Sequence, residues 1–253
     1  EQERQVARDK SDIRMDFWRD LLQPMPSNLR LVFVSRYFAE EVMEDLGFSL
    51  PEKAFTIIHN PIDTELFSYQ AKPVDQRKKI LSIRPYASRQ YANDLSVKAI
   101  LELSKQTYFE ELEFRIIGDG KLFDQVLSPL KSFSNIKIER RFLTREEISQ
   151  LHKDYGVFLC PTRWDSHGVS RDEAMASGLV PVTNAVAAIP EFLDEWSGFM
   201  VNGDDAQGLA RAIAELVTKP ETFIAKSRAA AERVRDQSET RKVIASELRL
   251  FIE

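Results

Sequence analysis

From residue 80 onward the chain repeats one pattern, and that pattern leaves few folds open. Short apolar runs rich in strand formers stand at 80–83, 114–117, 136–138, 157–160, 180–182 and 199–201. Amphipathic segments at 93–107, 120–132, 144–153, 170–177 and 189–195 fill the gaps between them. A run that is apolar throughout suits a strand covered on both faces, and strands alternating with helices imply βαβ units. The prediction is an α/β fold: a doubly wound parallel sheet of about six strands with helices on both faces. Residues 205–253 read as further helices, broken near Lys219-Pro220.

Ahead of this block the pattern is less regular. Residues 1–25 read as a charged helix whose apolar positions Ile13, Phe17, Leu21 and Leu22 share one face, ended by Met25-Pro26-Ser27-Asn28. A strand at Leu31-Val32-Phe33-Val34 follows, then Ser35 and a helix stopped by Gly47. A second short strand, Phe55-Thr56-Ile57-Ile58, leads into the turn-forming loop His59-Asn60-Pro61-Ile62-Asp63. Residues 68–78 are polar and read as a linker.

Composition excludes several functions. The net charge of −5 argues against broad nucleic-acid binding, while leaving room for a local basic pocket. No apolar run approaches the roughly 18 residues of a membrane span. The lone cysteine, Cys160, rules out an internal disulfide and a cysteine-based zinc site. Its place in an apolar run predicts a buried, inert thiol. The polar start Glu1-Gln2-Glu3-Arg4-Gln5 is no signal peptide, and without an initiator Met the chain is expected to be a piece of something longer.

Ligands of doubly wound sheets bind beyond the carboxyl ends of the strands, so the loops that follow strands are where chemistry is expected. Three stand out. Arg84-Pro85-Tyr86-Ala87-Ser88-Arg89 places two guanidinium groups where a phosphate could sit, or else two ordinary surface cations. Gly118-Asp119-Gly120 permits close backbone approach to a ligand or a tight βα turn, and lacks the third glycine of a dinucleotide fingerprint. The third loop runs from Pro161 to a helix that starts near Gly168 to Ser170 and stops at Gly178. Amides at that helix start favour an anion such as a diphosphate. Asp165 before the helix and Glu173 one turn inside it could face one crevice and accept hydrogen bonds from sugar hydroxyls. Asp172 could instead serve the helix dipole, and Glu173 a solvated face. His167 is a candidate polar contact, or a loop residue at the surface.

In sequence order these segments resemble the donor-binding, C-terminal domain of GT-B glycosyltransferases of the retaining, family-four type, over roughly residues 31–218. Val34-Ser35 with Tyr37 resembles the end of that family's acceptor domain, and Ile58 to Asp63 with Leu66-Phe67 its interdomain segment. Ile117 to Gly120 is similar to its Gly-x-Gly turn. Pro161 through Val182 is similar to the signature around its paired carboxylates, continued by Ala188-Ile189-Pro190-Glu191 and Gly198 to Val201. The departures are Asp165 where the family has Glu, Ser166-His167-Gly168 for Gly-Phe-Gly, Ile83-Arg84 for Gly-Arg, and Ala187 and Ala188 for two glycines. The family's Lys-Gly is replaced by Arg89-Gln90, or by Tyr91 if a gap of one or two residues intervenes.

The resemblance implies a Rossmann-like domain over 66–220, with 1–65 as an N-terminal helix, remnant of an acceptor domain and interdomain segment, and 221–253 as C-terminal helices. It implies Asp165, Arg84 and Arg89 as catalytic residues. Asp165 would contact the transferred sugar, and the arginines the donor diphosphate. Glu173 would hold the ribose, Gly168, Val169 and His167 would line the phosphates, and Gly118, Asp119, Phe142 and Leu143 complete the nucleotide site. No metal and no cofactor are expected beyond a nucleotide-diphosphate sugar as donor substrate. The expected partners are that donor, a glycan or lipid-linked acceptor and a preceding acceptor domain. The expected place is the cytoplasm, free or peripheral at the inner face of the membrane. The function implied is retaining hexosyl or deoxyhexosyl transfer. A non-catalytic nucleotide-sugar-binding or assembly module is the alternative. An epimerase or phosphorylase is a third reading, but no lysine context here suggests the pyridoxal site that a phosphorylase needs.

Overall fold

The computed structural model describes residues 12–252. Residues 1–11 of the predicted first helix lie outside them, as does the side chain of Ile13. The described chain forms two compact units that divide between His59 and Asn60.

The first unit holds helix α1 (Asp12–Leu22), strand β1 (Leu31–Phe33), helix α2 (Arg36–Leu46) and strand β2 (Phe55–Ile57). The two strands pair in parallel from Leu31 opposite Phe55 to Phe33 opposite Ile57. Ser35 caps α2 by accepting from Phe38 N, and Gly47 ends it in the left-handed conformation at φ 82°. Leu22, Phe33, Ala39, Leu46 and Leu50 form its core. Only part of the apolar face predicted for α1 is used: Leu22 is buried, whereas Phe17 is 60% exposed.

The second unit carries strands β3 (Lys79–Ile83), β4 (Glu113–Gly118), β5 (Ile136–Arg140), β6 (Val157–Leu159), β7 (Val180–Asn184) and β8 (Phe199–Val201). All pair in parallel, in the order β5-β4-β3-β6-β7-β8. The predicted doubly wound sheet is therefore present. Successive residues point to opposite faces, and the core divides accordingly. Ile80, Ile116, Val157 and Leu159 face one layer, while Leu81, Ile117, Phe158 and Cys160 face the other. Both faces are apolar because both are covered, which is why these strands read as unbroken runs.

The covering helices are α3 (Asn93–Leu103), α4 (Phe123–Leu127), α5 (Arg145–Asp154), α6 (Val169–Ala176), α7 (Ile189–Phe192), α8 (Ala206–Thr218), α9 (Pro220–Gln237) and α10 (Thr240–Arg249). α3 packs with α8 on one face, and α6 with α9 on the other. The chain returns after α9 to bond Ile62, whose N–H donates to Ser238 O at 2.7 Å. The stretch 68–78 is not a free linker. Lys72 is buried and donates to the backbone oxygen of His152, and Val74–Lys78 form a 3-10 turn. No helix among the described residues is long and apolar enough to cross a membrane.

Candidate functional site

Chain order reverses between β3 and β6, which are neighbours in the sheet although 73 residues separate Ile83 from Val157 only through β4 and β5. A crevice opens at such a switch point beyond the carboxyl ends of the two strands. The loops after β3 and β6 are two of the three that the sequence singles out, and the topology brings them together.

Arg84 leaves β3 with its N–H still in the sheet, donating to Ile117 O at 3.1 Å. Its side chain is 5% exposed and spans the switch point, donating from Nη1 to Ser170 Oγ at 3.1 Å. The guanidinium carbon lies 4.7 Å above the ring of Tyr91, a distance suited to cation–π attraction. Its Nε is buried with no partner among the described residues. Ser170 sits in the first turn of α6, whose N-cap is Gly168 at φ 93° with no side-chain cap. The amides of Val169 and Ser170 have no acceptor among the described residues, and they open the helix toward Arg84. A guanidinium donor, free amides and the positive end of a helix thus converge on one spot.

Arg89 does not join this group. Its side chain is exposed and lies along a separate cleft of about 250 Å³ that Tyr86, Asn93, Leu122 and Gln125 also line. Only its backbone serves the crevice, accepting from Arg163 Nη1 at 2.9 Å. The register of this loop is marked by Ala92, which adopts φ 45°, the left-handed region that favours glycine. Tyr91, which precedes Ala92, lies under the Arg84 guanidinium.

The β6 loop is held by a frame largely invisible in the sequence. Arg163 grips Asp94 with both terminal nitrogens, at 2.7 and 2.8 Å, and reaches Asp204 at 3.0 Å. The Arg163 hydrogen bonds hold the Asp94 carboxyl below its ordinary range. Behind the loop, His167 is 1% exposed and stacks on Phe192 with ring centroids 4.0 Å apart. The Asn60 N–H donates to its Nδ1 at 3.2 Å, so Nε2 carries the proton and donates to Asp172 Oδ2 at 2.8 Å. Arg171 donates from Nε to the other Asp172 oxygen at 2.8 Å and from Nη2 to His167 O at 2.7 Å. His167, expected as a polar contact for a ligand, is spent on holding the loop. Asp172 is likewise an inner partner of His167 and Arg171 rather than a free charge at a helix end. A Cβ on Gly168 would lie 2.7 Å from Arg171 Nη1, so glycine answers both the positive φ and the close approach.

Asp165 stands at the mouth, half-buried, with Oδ1 accepting from His167 N at 3.1 Å and its backbone oxygen accepting from Ala188 N at 3.2 Å. Ala187, one of the two expected glycine replacements, adopts φ 49°. Glu173 lies deeper, 9% exposed, and its carboxylate meets Arg145 Nε at 3.5 Å. Burial pushes the Glu173 carboxyl up, and Arg145 opposes that push. It is not on a solvated helix face.

Gly118 and Asp119 serve the loop that bears Arg84. A Cβ on Gly118 would fall 2.0 Å from Arg84 O, and one on Gly120 2.3 Å from the Tyr86 carbonyl carbon. Tyr86 N donates to Asp119 O at 2.8 Å, while Asp119 Oδ1 accepts from Gly120 N and Arg140 Nε. Phe142 is 76% exposed in the loop after β5, and Leu143 packs against the buried cluster to which Leu81 and Ile117 belong. Cys160 is buried, and burial raises its thiol to about 11, as an inert core thiol requires. Among the described residues no cluster of His, Cys, Asp or Glu has the arrangement of a metal site.

Comparison with known proteins agrees with this architecture. The family described as glycosyl transferases group 1 matches residues 77–219, more than half of the chain. An uncharacterised 41.2 kDa protein in the cps region of Klebsiella pneumoniae is 30% identical over 115 residues, which is 44% of this chain and 29% of that protein. S. aureus TarM, solved with UDP and α-GlcNAc-glycerol, superposes with a TM-score of 0.74 at 16% identity, over 88% of this chain and 44% of that one. Anabaena HepE, solved with UDP and glucose, superposes with a TM-score of 0.73 at 15% identity, over 94% of this chain and 67% of that one. The chain thus spans less than half the length of the first two.

Proposed function

The chain belongs to the glycosyl transferases group 1, and we propose that its second unit binds the donor in sugar transfer from a nucleotide-diphosphate sugar. One observation carries this reading: Arg84 bridges the switch point to the opening turn of α6, making an anion site where such sheets bind ligands. The diphosphate lies against Arg84 and the Val169 and Ser170 amides, displacing the Ser170 hydroxyl as the guanidinium's partner. Glu173 accepts from the ribose hydroxyls. The base lies toward Phe142 and the backbone at Leu143, and the transferred sugar toward Asp165.

In the transfer, the bond from the anomeric carbon to the diphosphate oxygen breaks and the acceptor oxygen bonds to that carbon with retention. The acceptor's proton leaves with the diphosphate. Arg84 and the helix amides stabilise the charge that develops on the leaving group, so they act most strongly in the transition state. No metal is needed for that task in this account. The acceptor is a glycan or a lipid-linked glycan, bound with a preceding domain. The cps-region relative and the glycosylated glycerol in the TarM structure support that class.

A second reading, a binding module without transfer, is favoured by two features. Asp165 is one methylene shorter than Glu and is tied to its own loop through His167 N, and the exposed Arg89 lines a cleft with Asn93, Leu122 and Gln125. Titration calorimetry of the chain with UDP-, GDP- and dTDP-sugars, without added metal, tests the shared premise. Binding of one nucleotide class supports a donor unit, and silence across the panel overturns it. Product analysis with the complete protein then separates transfer from binding alone.

A further inference from the structure

We propose that Arg145 is the positioning residue for Glu173: from the head of α5, its guanidinium, with Nε 3.5 Å from Oε1, holds the Glu173 carboxylate toward a ligand's vicinal hydroxyls. The proposal rests on the donor-site reading for the identity of that ligand.

Glu173 is an unusual carboxylate. It is nine-tenths buried, yet among the described residues its side chain has a single polar neighbour, Arg145 Nε at 3.5 Å from Oε1. No hydroxyl and no backbone N–H satisfies it. A carboxylate offers about four lone-pair sites, so most of its accepting capacity is left for something that brings donors. Its surroundings also work against its charge. Asp172 lies on the same helix, and Asp63 comes from the segment between β2 and β3, where its Oδ1 accepts from Leu66 N at 2.9 Å. Burial, Asp172 and Asp63 all favour the protonated form, and Arg145 is the one cation among the groups facing Glu173 that opposes them. Without it, a buried acid faces two carboxylates.

Arg145 is itself held in place. Its guanidinium carbon lies 5.4 Å over the ring of Phe67, which is fully buried and cannot shift to follow it. The turn that carries Arg145 is fixed by a reciprocal cap: Thr144 Oγ1 accepts from Glu147 N at 3.3 Å, and Glu147 Oε2 accepts from Thr144 N at 2.8 Å. On the same helix Glu147 is occupied by Arg141 Nη1 at 2.7 Å, while the exposed Glu146 carboxylate also feels the Arg145 charge. The guanidinium, about half exposed, thus lies over the Phe67 ring with its Nε within reach of Glu173. A lysine would keep the charge without the planar stack.

Two measurements on the whole chain separate this proposal from the donor-site reading. In the unliganded protein, the side-chain carboxyl carbon of Glu173 is followed by NMR against pH. Arg145→Ala is expected to raise its titration midpoint by about 1 pH unit, Arg145→Lys by less. Binding is then measured against pH with whichever of UDP, GDP and dTDP the wild type takes. Arg145→Ala is expected to move the fall in affinity at low pH upward by the same amount, and to have no such effect in a Glu173→Gln background. An unmoved NMR midpoint overturns the proposal even if nucleotide binds normally. A moved midpoint in a protein that binds none of UDP, GDP and dTDP overturns the donor-site reading, and with it the ligand role given to Arg145.

Discussion

Arg84 Nη1 donates to Ser170 Oγ at 3.1 Å, tying the end of β3 to the first turn of α6 across 86 positions of sequence. Neither residue makes an anion site alone. A guanidinium with one neutral partner and a buried, unpartnered Nε is a donor group waiting for a charged acceptor. Replacing Ser170 Oγ by a phosphate oxygen exchanges a neutral hydrogen bond for a charge-assisted one, which is roughly twice as strong.

Arg84→Ala is therefore expected to weaken nucleotide-diphosphate binding by about 1.5–3 kcal/mol, roughly 10- to 100-fold. The loss should shrink as salt is raised, because part of the attraction is screened. Calorimetry at two ionic strengths checks both statements. Equal affinity in mutant and wild type, with the fold intact, removes Arg84 from the site.

The latch behind the loop should matter to stability rather than to ligand contact. Asp172→Ala leaves Arg171 fully buried without its anion, and breaking one side of such a pair costs about 3–5 kcal/mol. Thermal unfolding of the variant should show a much lower Tm. A Tm within a degree or two of wild type means that the buried pair carries little of the unit's stability.

Ala92 and Ala187 hold left-handed backbone at φ 45° and 49°. That conformation costs a side-chain-bearing residue about 1–2 kcal/mol, while glycine adds roughly 0.5–1 kcal/mol of unfolded-state entropy to overcome. Ala92→Gly and Ala187→Gly are each expected to be neutral to stabilising, by up to about 1 kcal/mol. Urea unfolding checks this, and a clear loss of stability in both would contradict the strain.

His152 sets a pH dependence. It is buried against Phe67 and Phe158, and desolvation, aided by the Lys72 ammonium, lowers its imidazole from 6.5 to about 3. Between those values the unfolded chain holds a proton that the folded chain does not. Its contribution to stability is complete above pH 6.5 and is lost as pH falls toward 3. His152→Gln, which can still donate to Ser177 Oγ, is expected to flatten the stability profile across that window. An unchanged slope would assign acid lability to other groups.

How much of this was legible beforehand follows from what sequence encodes. Period and breaker residues are local, so the strands, the Gly47 and Gly178 stops and the Pro220 break could be read directly. The places of Arg84 at a strand end and Glu173 near a helix start are legible because both follow from the local pattern of strand and helix. Pairings are not local. Nothing in the order of residues says that Arg163 will find Asp94, or that Arg145 will find Glu173, and both were missed. His167 was misread for the same reason, since its neighbours in sequence are polar and its neighbours in space are Phe192, Asn60 and Asp172. The stretch 68–78 reads as a linker because most of its residues are exposed and polar, and the sequence does not show that Lys72 buries its head on the His152 backbone oxygen.

The central claim is that a nucleotide diphosphate lies across the switch point between β3 and β6. A crystal structure of the chain with UDP, or with the nucleotide that calorimetry selects, measures this most directly. The account predicts diphosphate oxygens on Arg84 and on the Val169 and Ser170 amides, with the ribose hydroxyls on Glu173. An ordered nucleotide seated elsewhere, with Arg84 still bonded to Ser170, would contradict it.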